Sequence, residues 1–386
     1  MIRRTLAPVL GATLALGGLA GCTDNNAAAQ GSSGALTVKA TDTECAVNAA
    51  EAPSGVISFS VTNSSSKVNE FYLLAEDGLR IIGEVENIGP GLTRDLVLTA
   101  QPGTYFTACK PGMVGDGIRN QFTVTDSGVT PSVDADTQAL VDTANTQYQS
   151  YVKDQVASLV TKTEAFAALY KAGKDDEARA AYAPTRLHWE RIEPVAESFG
   201  DLDPILDARE ADLEPGETWT GWHRIEKDLW PARATNYTAM TTAERAAMAD
   251  KLVADTKTLA ERTQKLTFTV DQIANGAKTL LDEVASGKVT GEEEYWSRTD
   301  LVDFQGNLDG AKVAWEGLRP ILKLRNPELD TELATQFAAV QKLLDAHKSG
   351  DGFVGYDKLT AAQVKALASG VNALSEPLSR LTAAVI

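Results

Sequence analysis

Histidine is scarce in this chain of 386 residues: there are three, His188, His223 and His347, and none precedes residue 188. A type 1 copper centre needs two histidines beside its cysteine, so such copper chemistry is excluded from the first half. Cysteine is equally rare, limited to Cys22, Cys45 and Cys109. After the N-terminus no apolar run is long enough to span a bilayer. Basic residues are outnumbered 36 to 53, a formal charge of −17. A surface of that sign repels nucleic acid and anionic headgroups, which disfavours phosphate-binding roles. No Ser or Cys stands with a His in a recognisable nucleophile setting. What remains is a globular composition, 43% hydrophobic, long enough for two domains with real cores.

The first residues have a separate meaning. Arg3 and Arg4 precede a small and apolar stretch from Leu6 to Leu19, and Leu19-Ala20-Gly21-Cys22 has the form of a bacterial lipoprotein cleavage box. Residues 1–21 are therefore predicted as a signal peptide, with Cys22 lipidated as the first mature residue. Residues 22–34, rich in Asn, Ala, Gly and Ser, suit a flexible tether. The mature chain is expected outside the cytoplasm, anchored to the cell membrane. In that oxidising compartment a disulfide between Cys45 and Cys109 is the plain expectation.

Two periods divide the rest. Residues 35–125 alternate apolar and polar side chains in about seven short runs: 36–40, 56–61, 70–75, 80–86, 93–98, 103–109 and 119–124. Gly89-Pro90-Gly91 and Gln101-Pro102-Gly103 punctuate them. That pattern predicts a β-sandwich. After a linker at 126–137, apolar residues recur at spacings of three and four through 140–160, 178–198, 243–284, 307–323, 329–347 and 361–384. Residues 138–386 are predicted as an all-α bundle, with Pro184 and Pro194 breaking or kinking its second helix.

The most informative segment is Trp219 to Lys227. Thr220 is a potential cap for a helix carrying His223 and Glu226, which at i and i+3 share one face and can share one cation. A zinc-protease helix needs a second His four residues after the first, and position 227 is Lys. Upstream, Trp189-Glu190-Arg191-Ile192-Glu193-Pro194 and Asp207-Ala208-Arg209-Glu210 mix acids and arginines in apolar surroundings. That arrangement is expensive unless the charges are paired or coordinated. Salt-bridged helix faces satisfy these residue types as well as a metal site does. His188 reads as a surface or paired histidine, His347 as exposed, and the Trp residues around 189–230 as core packing.

These segments, with 197–204 and Tyr295-Trp296-Ser297-Arg298-Thr299-Asp300-Leu301-Val302-Asp303-Phe304, resemble the imelysin family (labelled peptidase M75), and within it the EfeO-type iron-uptake lipoproteins. The resemblance runs through nearly all of the mature chain. It implies an N-terminal cupredoxin-like β-sandwich followed by an imelysin-like helical bundle. It also implies a metal site of His223 and Glu226 with Glu190 and Asp207; Glu193 and Glu210 compete for the last two places, and Arg209 and Arg224 orient the acids. Three oxygen ligands and one imidazole suit iron, as Fe2+ or Fe3+, and also accept zinc or manganese. In the β domain the matching positions are Cys45, Glu70 and Cys109, a second metal set unless the two cysteines form a disulfide. The implied role is capture of extracytoplasmic iron and delivery to a membrane permease, with an exported haem peroxidase as a further partner. The alternatives are a metallopeptidase of the M75 type and a surface module that binds polysaccharide or protein.

Overall fold

The computed structural model describes residues 34–78, 81–113, 115–128, 135–213 and 216–386. The predicted signal peptide, Cys22 and nearly all of the tether lie outside the described residues. Among those described, no helix is long and apolar enough to cross a membrane.

Alternation becomes sheet in the first part. Strands β1 (Leu36–Ala40), β2 (Cys45–Val47), β3 (Glu51–Pro53), β4 (Gly55–Asn63), β5 (Asn69–Leu74), β6 (Ile81–Ile88), β7 (Thr93–Ala100), β8 (Gly103–Cys109) and β9 (Ile118–Thr125) form two sheets, ordered β2-β1-β4-β7 and β3-β9-β8-β5-β6. On β4, Ile57, Phe59 and Val61 point inward while Ser58, Ser60 and Thr62 are less buried. Between the sheets Phe59 meets Phe71 and Phe122 at centroid distances of 5.1 and 5.6 Å. The two strands missing from the sequence reading, β2 and β3, have three residues each and are too short to show a period. A disulfide joins Cys45 on β2 to Cys109 on β8, one from each sheet.

The second part is helical: α1 (Ala135–Lys171), α2 (Asp175–Glu190), α3 (Leu202–Asp207), α4 (Trp222–Leu229), α5 (Thr242–Thr263), α6 (Val270–Ser286), α7 (Asp300–Arg325), α8 (Pro327–Asp345), α9 (Ala361–Leu378) and α10 (Leu381–Val385). Along α1 the buried stripe Ala144, Tyr148, Val152, Val156, Leu159 follows the helical repeat. Three expectations are corrected. Pro184 sits inside α2 without ending it; the break comes after Glu190, where a 3-10 turn (Glu193–Phe199) has Pro194 in its first positions. The predicted helix over 243–284 is two helices, because Thr269 and Gln272 form a capping box that starts α6. His347 is buried, since the hairpin after it folds back and Val354 N donates to its carbonyl at 3.0 Å.

Residues Ala35–Ile386 form one compact unit, so the sheets and helices pack against each other directly. The contact is α6 on β6 and β7. Thr99 N donates to Asp271 Oδ2 at 2.8 Å, Asn275 Nδ2 donates to the Val97 carbonyl at 2.9 Å, and Arg94 pairs with Asp282 at 3.4 Å. Glu84 on β6 is hydrogen-bonded to Glu197, carboxyl to carboxyl, in the same interface.

A buried carboxylate–histidine centre

Four segments converge in the bundle: the end of α2, the end of α3, the start of α4, and the loop 292–298 leading into α7. Two glycines permit the approach. Gly221 caps α4 with φ of +85°, and a Cβ there would lie 2.1 Å from the Leu206 carbonyl oxygen on α3. No side chain fits, and this contact brings His223 beside Asp207. Thr220, predicted as the cap, instead donates its hydroxyl to the Ile205 carbonyl at 2.9 Å. On α7 a Cβ at Gly306 would stand 2.4 Å from Glu190 Cβ, so the glycine lets α2 and α7 close on each other.

His223 is fully buried, and its two nitrogens face different acids. Nδ1 lies 3.2 Å from Glu226 Oε2 and 4.0 Å from Glu294 Oε1. Nε2 lies 3.5 Å from both Asp207 Oδ1 and Glu293 Oε1, and makes no well-formed hydrogen bond. Donor atoms of Asp207, His223 and Glu293, and separately of His223, Glu226 and Glu294, all lie within 4.8 Å of one another. Glu226 is the better satisfied acid: its Oε1 accepts from the backbone N–H of Trp296 at 2.8 Å and of Ser297 at 2.6 Å. It is placed to accept the Nδ1 proton, which leaves Nε2 as the nitrogen whose proton a metal ion would displace.

Arg186, predicted by nothing in the sequence reading, is the buried counter-charge at the centre. It pairs with Asp207, with Glu190 at 2.5 Å, Glu294 at 2.7 Å, Asp303 at 3.6 Å and Glu293 at 3.9 Å. Lys288, also buried, sits 2.6 Å from Glu193, 3.3 Å from Glu190 and 3.7 Å from Glu293. Asn307 Nδ2 donates to Glu190 and Glu193 at 2.8 and 2.6 Å.

The predicted ligands therefore separate. His223, Glu226 and Asp207 are brought together. Glu190 is a neighbour across Arg186, its oxygens engaged by Arg186, Lys288 and Asn307, and Glu193 shares that ammonium. Glu210 is outside, paired with Lys227. Of the two arginines expected to orient acids, Arg209 reaches Glu293 at 3.6 Å, whereas Arg224 donates to Tyr237 at 3.0 Å. His188 is paired, as Nδ1 meets Gln155 Oε1 at 2.7 Å. The donors missed entirely are Glu293 and Glu294, for which the run Glu292-Glu293-Glu294 beside Tyr295-Trp296 was the available signal. In the β domain both sulfurs of the Cys45–Glu70–Cys109 set are spent in the disulfide, and Glu70 accepts from the Tyr72 hydroxyl.

Acids outnumber cations here, and the protonation equilibria record it. Burial raises Glu294 and Asp303 well above the usual carboxylate range, helped by neighbouring acids. Burial likewise brings Asp300 to about 6. Glu293 and Glu190 are exceptions: burial raises both, but Lys288 and His223 outweigh that and hold Glu293 far down, and Lys288 and Arg186 lower Glu190. Burial and Arg186 pull the His223 imidazolium down, yet Glu226, Glu293 and Asp207 together carry it to about 10. The site demands positive charge on the Nε2 side of the imidazole.

Two cavities reach this centre. One, of about 470 Å³, has His223 and Glu293 in its wall with Arg209, Glu292, Tyr295 and Trp296. The other, of about 230 Å³, is bordered by Glu193, Asp207, Glu283 and Glu293. Glu293 belongs to both.

A β-sandwich followed by a helical bundle with a buried acid–imidazole centre defines a two-part chain whose polar chemistry lies in the bundle. The chain belongs to the imelysin family: the imelysin (peptidase M75) profile matches residues 144–381. It is 37% identical over 349 residues, 90% of each chain, to the iron uptake system component EfeO of Escherichia coli strain K12, and equally to that of Shigella flexneri. A protein described as an iron-regulated protein A precursor, from Parabacteroides distasonis, has a crystal structure that superposes with a TM-score of 0.52. It covers 67% of this chain and 97% of its own, at 17% identity, a likeness of fold alone.

Proposed function

We propose that this chain is the iron-capturing component of an uptake system, exported, anchored by lipidated Cys22, and delivering its cargo to a membrane permease. The observation that carries the reading is His223 Nε2: buried, without a well-formed hydrogen bond, and facing carboxylate oxygens of Asp207 and Glu293 at 3.5 Å each. A protonated imidazole nitrogen between two acids is a place where a metal ion displaces the proton, takes the electron pair and finds both carboxylates in position. Asp207, Glu293 and His223 would hold the metal. Glu226 would fix the imidazole, and Glu190 and Glu193 would add acids on the Lys288 side. Hard oxygens with one imidazole suit iron and also admit zinc or manganese. The naming of the relatives as iron uptake components supports iron as the cargo, and an exported haem peroxidase suits such a system as a partner.

The metallopeptidase alternative lacks its second imidazole, because position 227 is a lysine engaged with Glu210. Titration of the full chain with Fe(II) under anaerobic conditions tests the proposal. His223→Ala is expected to weaken binding by about tenfold or more, as for loss of one group from a small ligand set. Unchanged affinity would remove the imidazole from the site.

A further inference from the structure

Three cations besides the imidazole approach Glu293, and one of them is unlike the others. Arg186 at 3.9 Å and Lys288 at 3.7 Å from Oε1 are buried, and each is held by further buried acids. Withdrawing either would strand a charge inside the bundle. Arg209 approaches the other oxygen, with Nη1 3.6 Å from Oε2, and its side chain is 28% exposed. Its shorter bonds all lie on the outer side. Nη1 donates to Glu292 Oε1 at 2.8 Å, Nη2 to Asp212 Oδ1 at 2.8 Å and Nε to Asp212 Oδ2 at 2.9 Å. Both of those acids are exposed. The guanidinium can therefore leave Glu293 without losing its main partners or its water.

That freedom falls at a particular place. The three donors straddle a partition: Asp207 borders the smaller cavity, His223 the larger, and Glu293 both. Arg209 is the other residue common to the two walls, and among the described residues no other lysine or arginine borders either. Against it stand seven carboxyl groups around the smaller cavity and three around the larger, with Glu293 counted in each. Walls of that sign raise the local concentration of cations on both sides. A cation drawn in from either cavity meets this guanidinium at the carboxylate it has to bind.

We propose that Arg209 is a displaceable placeholder for the metal: its guanidinium compensates Glu293 in the empty site, and the arriving ion drives it off that carboxylate onto Glu292 and Asp212. The proposal rests on the metal reading of His223, Asp207 and Glu293. Repulsion between a divalent ion and a guanidinium that share one carboxylate supplies the push. Breaking a solvent-touched contact at 3.6 Å costs little, whereas displacing Arg186 or Lys288 would cost far more. The empty site thus keeps Glu293 compensated on both oxygens, and the charge of Arg209 sets the rate of capture. An arginine that only oriented Glu293 would act in the opposite sense, because its loss would weaken binding.

Two measurements on the full chain test this, with Fe(II) under anaerobic conditions as the probe. Stopped-flow tryptophan fluorescence, with Trp296 in the cavity wall as reporter, reads association. Arg209→Gln is expected to bind about tenfold faster, the lower end of what local charge does to on-rates, with affinity equal to the parent's or above it. Arg209→Lys keeps the charge and is expected to stay near the parental rate. Asp212 and Glu292 are exposed and hydrated once freed, so both variants are expected to fold, which circular dichroism checks. The second measurement needs no substitution. Phenylglyoxal modifies guanidinium groups that solvent reaches, and it is expected to label Arg209 of the parent faster with iron bound than without, as read by peptide mass spectrometry. A parental or slower rate in Arg209→Gln, weaker binding by it, or equal acceleration in Arg209→Lys overturns the placeholder and leaves the metal reading standing. Labelling that iron slows or leaves unchanged does the same. Fe(II) bound by neither parent nor variants overturns both.

Discussion

Replacing Glu293 by Gln separates metal binding from folding. Glu293 Oε1 stands 3.5 Å from His223 Nε2, 3.7 Å from Lys288 Nζ and 3.9 Å from Arg186, and Oε2 stands 3.6 Å from Arg209. It is also the carboxylate shared by both cavities. Glutamine keeps the volume and removes the charge. Outer-shell partners of metal ligands are worth about 10–100-fold in affinity, and a ligand is worth at least as much. The expected loss is therefore about tenfold to a hundredfold, or about 1.4–2.7 kcal/mol. Removing one partner of an isolated buried ion pair costs about 3–5 kcal/mol of stability. Here an opposite force is also present, because Glu190 and Glu283 lie close enough to repel Glu293. The attraction wins, since Glu293 is held far below the usual carboxylate range, so the metal-free variant is expected to melt below the parent, by about 2–4 °C for each kcal/mol lost. Calorimetric titration with Fe(II) and thermal melts of the metal-free protein give the two numbers. Parental affinity with parental stability would show that Glu293 is a bystander and refute the reasoning.

The β–α interface has a pH signature of its own. Burial holds Glu84 well above the usual carboxylate range, with Glu86 and Glu197 adding to it. The folded state thus binds the proton more tightly than the unfolded chain, so this stability is complete below the ordinary carboxylate value and is lost as pH rises from there through the raised folded value. Glu84→Gln should melt like the parent at acid pH and above it at neutral pH; parallel melts at every pH would contradict this. The Cys45–Cys109 bond closes a separation of 64 residues, for which loop entropy predicts about 4 kcal/mol of stability lost on replacing both by Ser. Denaturant titration reads that loss, and iron affinity should stay unchanged because the sulfurs are no part of the bundle centre. Gly221→Ala forces a side chain against the Leu206 carbonyl at a positive φ, so a destabilisation of about 1–3 kcal/mol and weakened metal binding are expected together. Full affinity in that variant would show that the α3–α4 contact does not position His223.

The architecture was legible because period carries it: alternation on β4 and the three-four stripe of α1 are local facts about neighbouring residues. The breaks were less so. A capping box at Thr269 ends a stripe that hydrophobicity alone runs straight through. At the centre, the His223–Glu226 pair was readable because both lie on one helical turn, and Asp207 because an acid among apolar residues needs a partner. Glu190 stands across Arg186 from the imidazole for a reason the sequence already held. Arg186 lies four residues before it on the same helix, where an ion pair forms without any metal. Glu293 was missed because it lies in a loop 70 residues beyond His223, and no local rule connects the two. The features that resisted reading are the ones that break local rules: an arginine with no exposure, acids left protonated by burial, an imidazole nitrogen held between two acids. A fold selected for stability alone would have replaced them with apolar side chains, often at a gain. Their retention at one place, around one histidine, is physically intelligible if the missing positive charge is the ion the protein carries, because each uncompensated acid lowers stability without that ion and strengthens its capture.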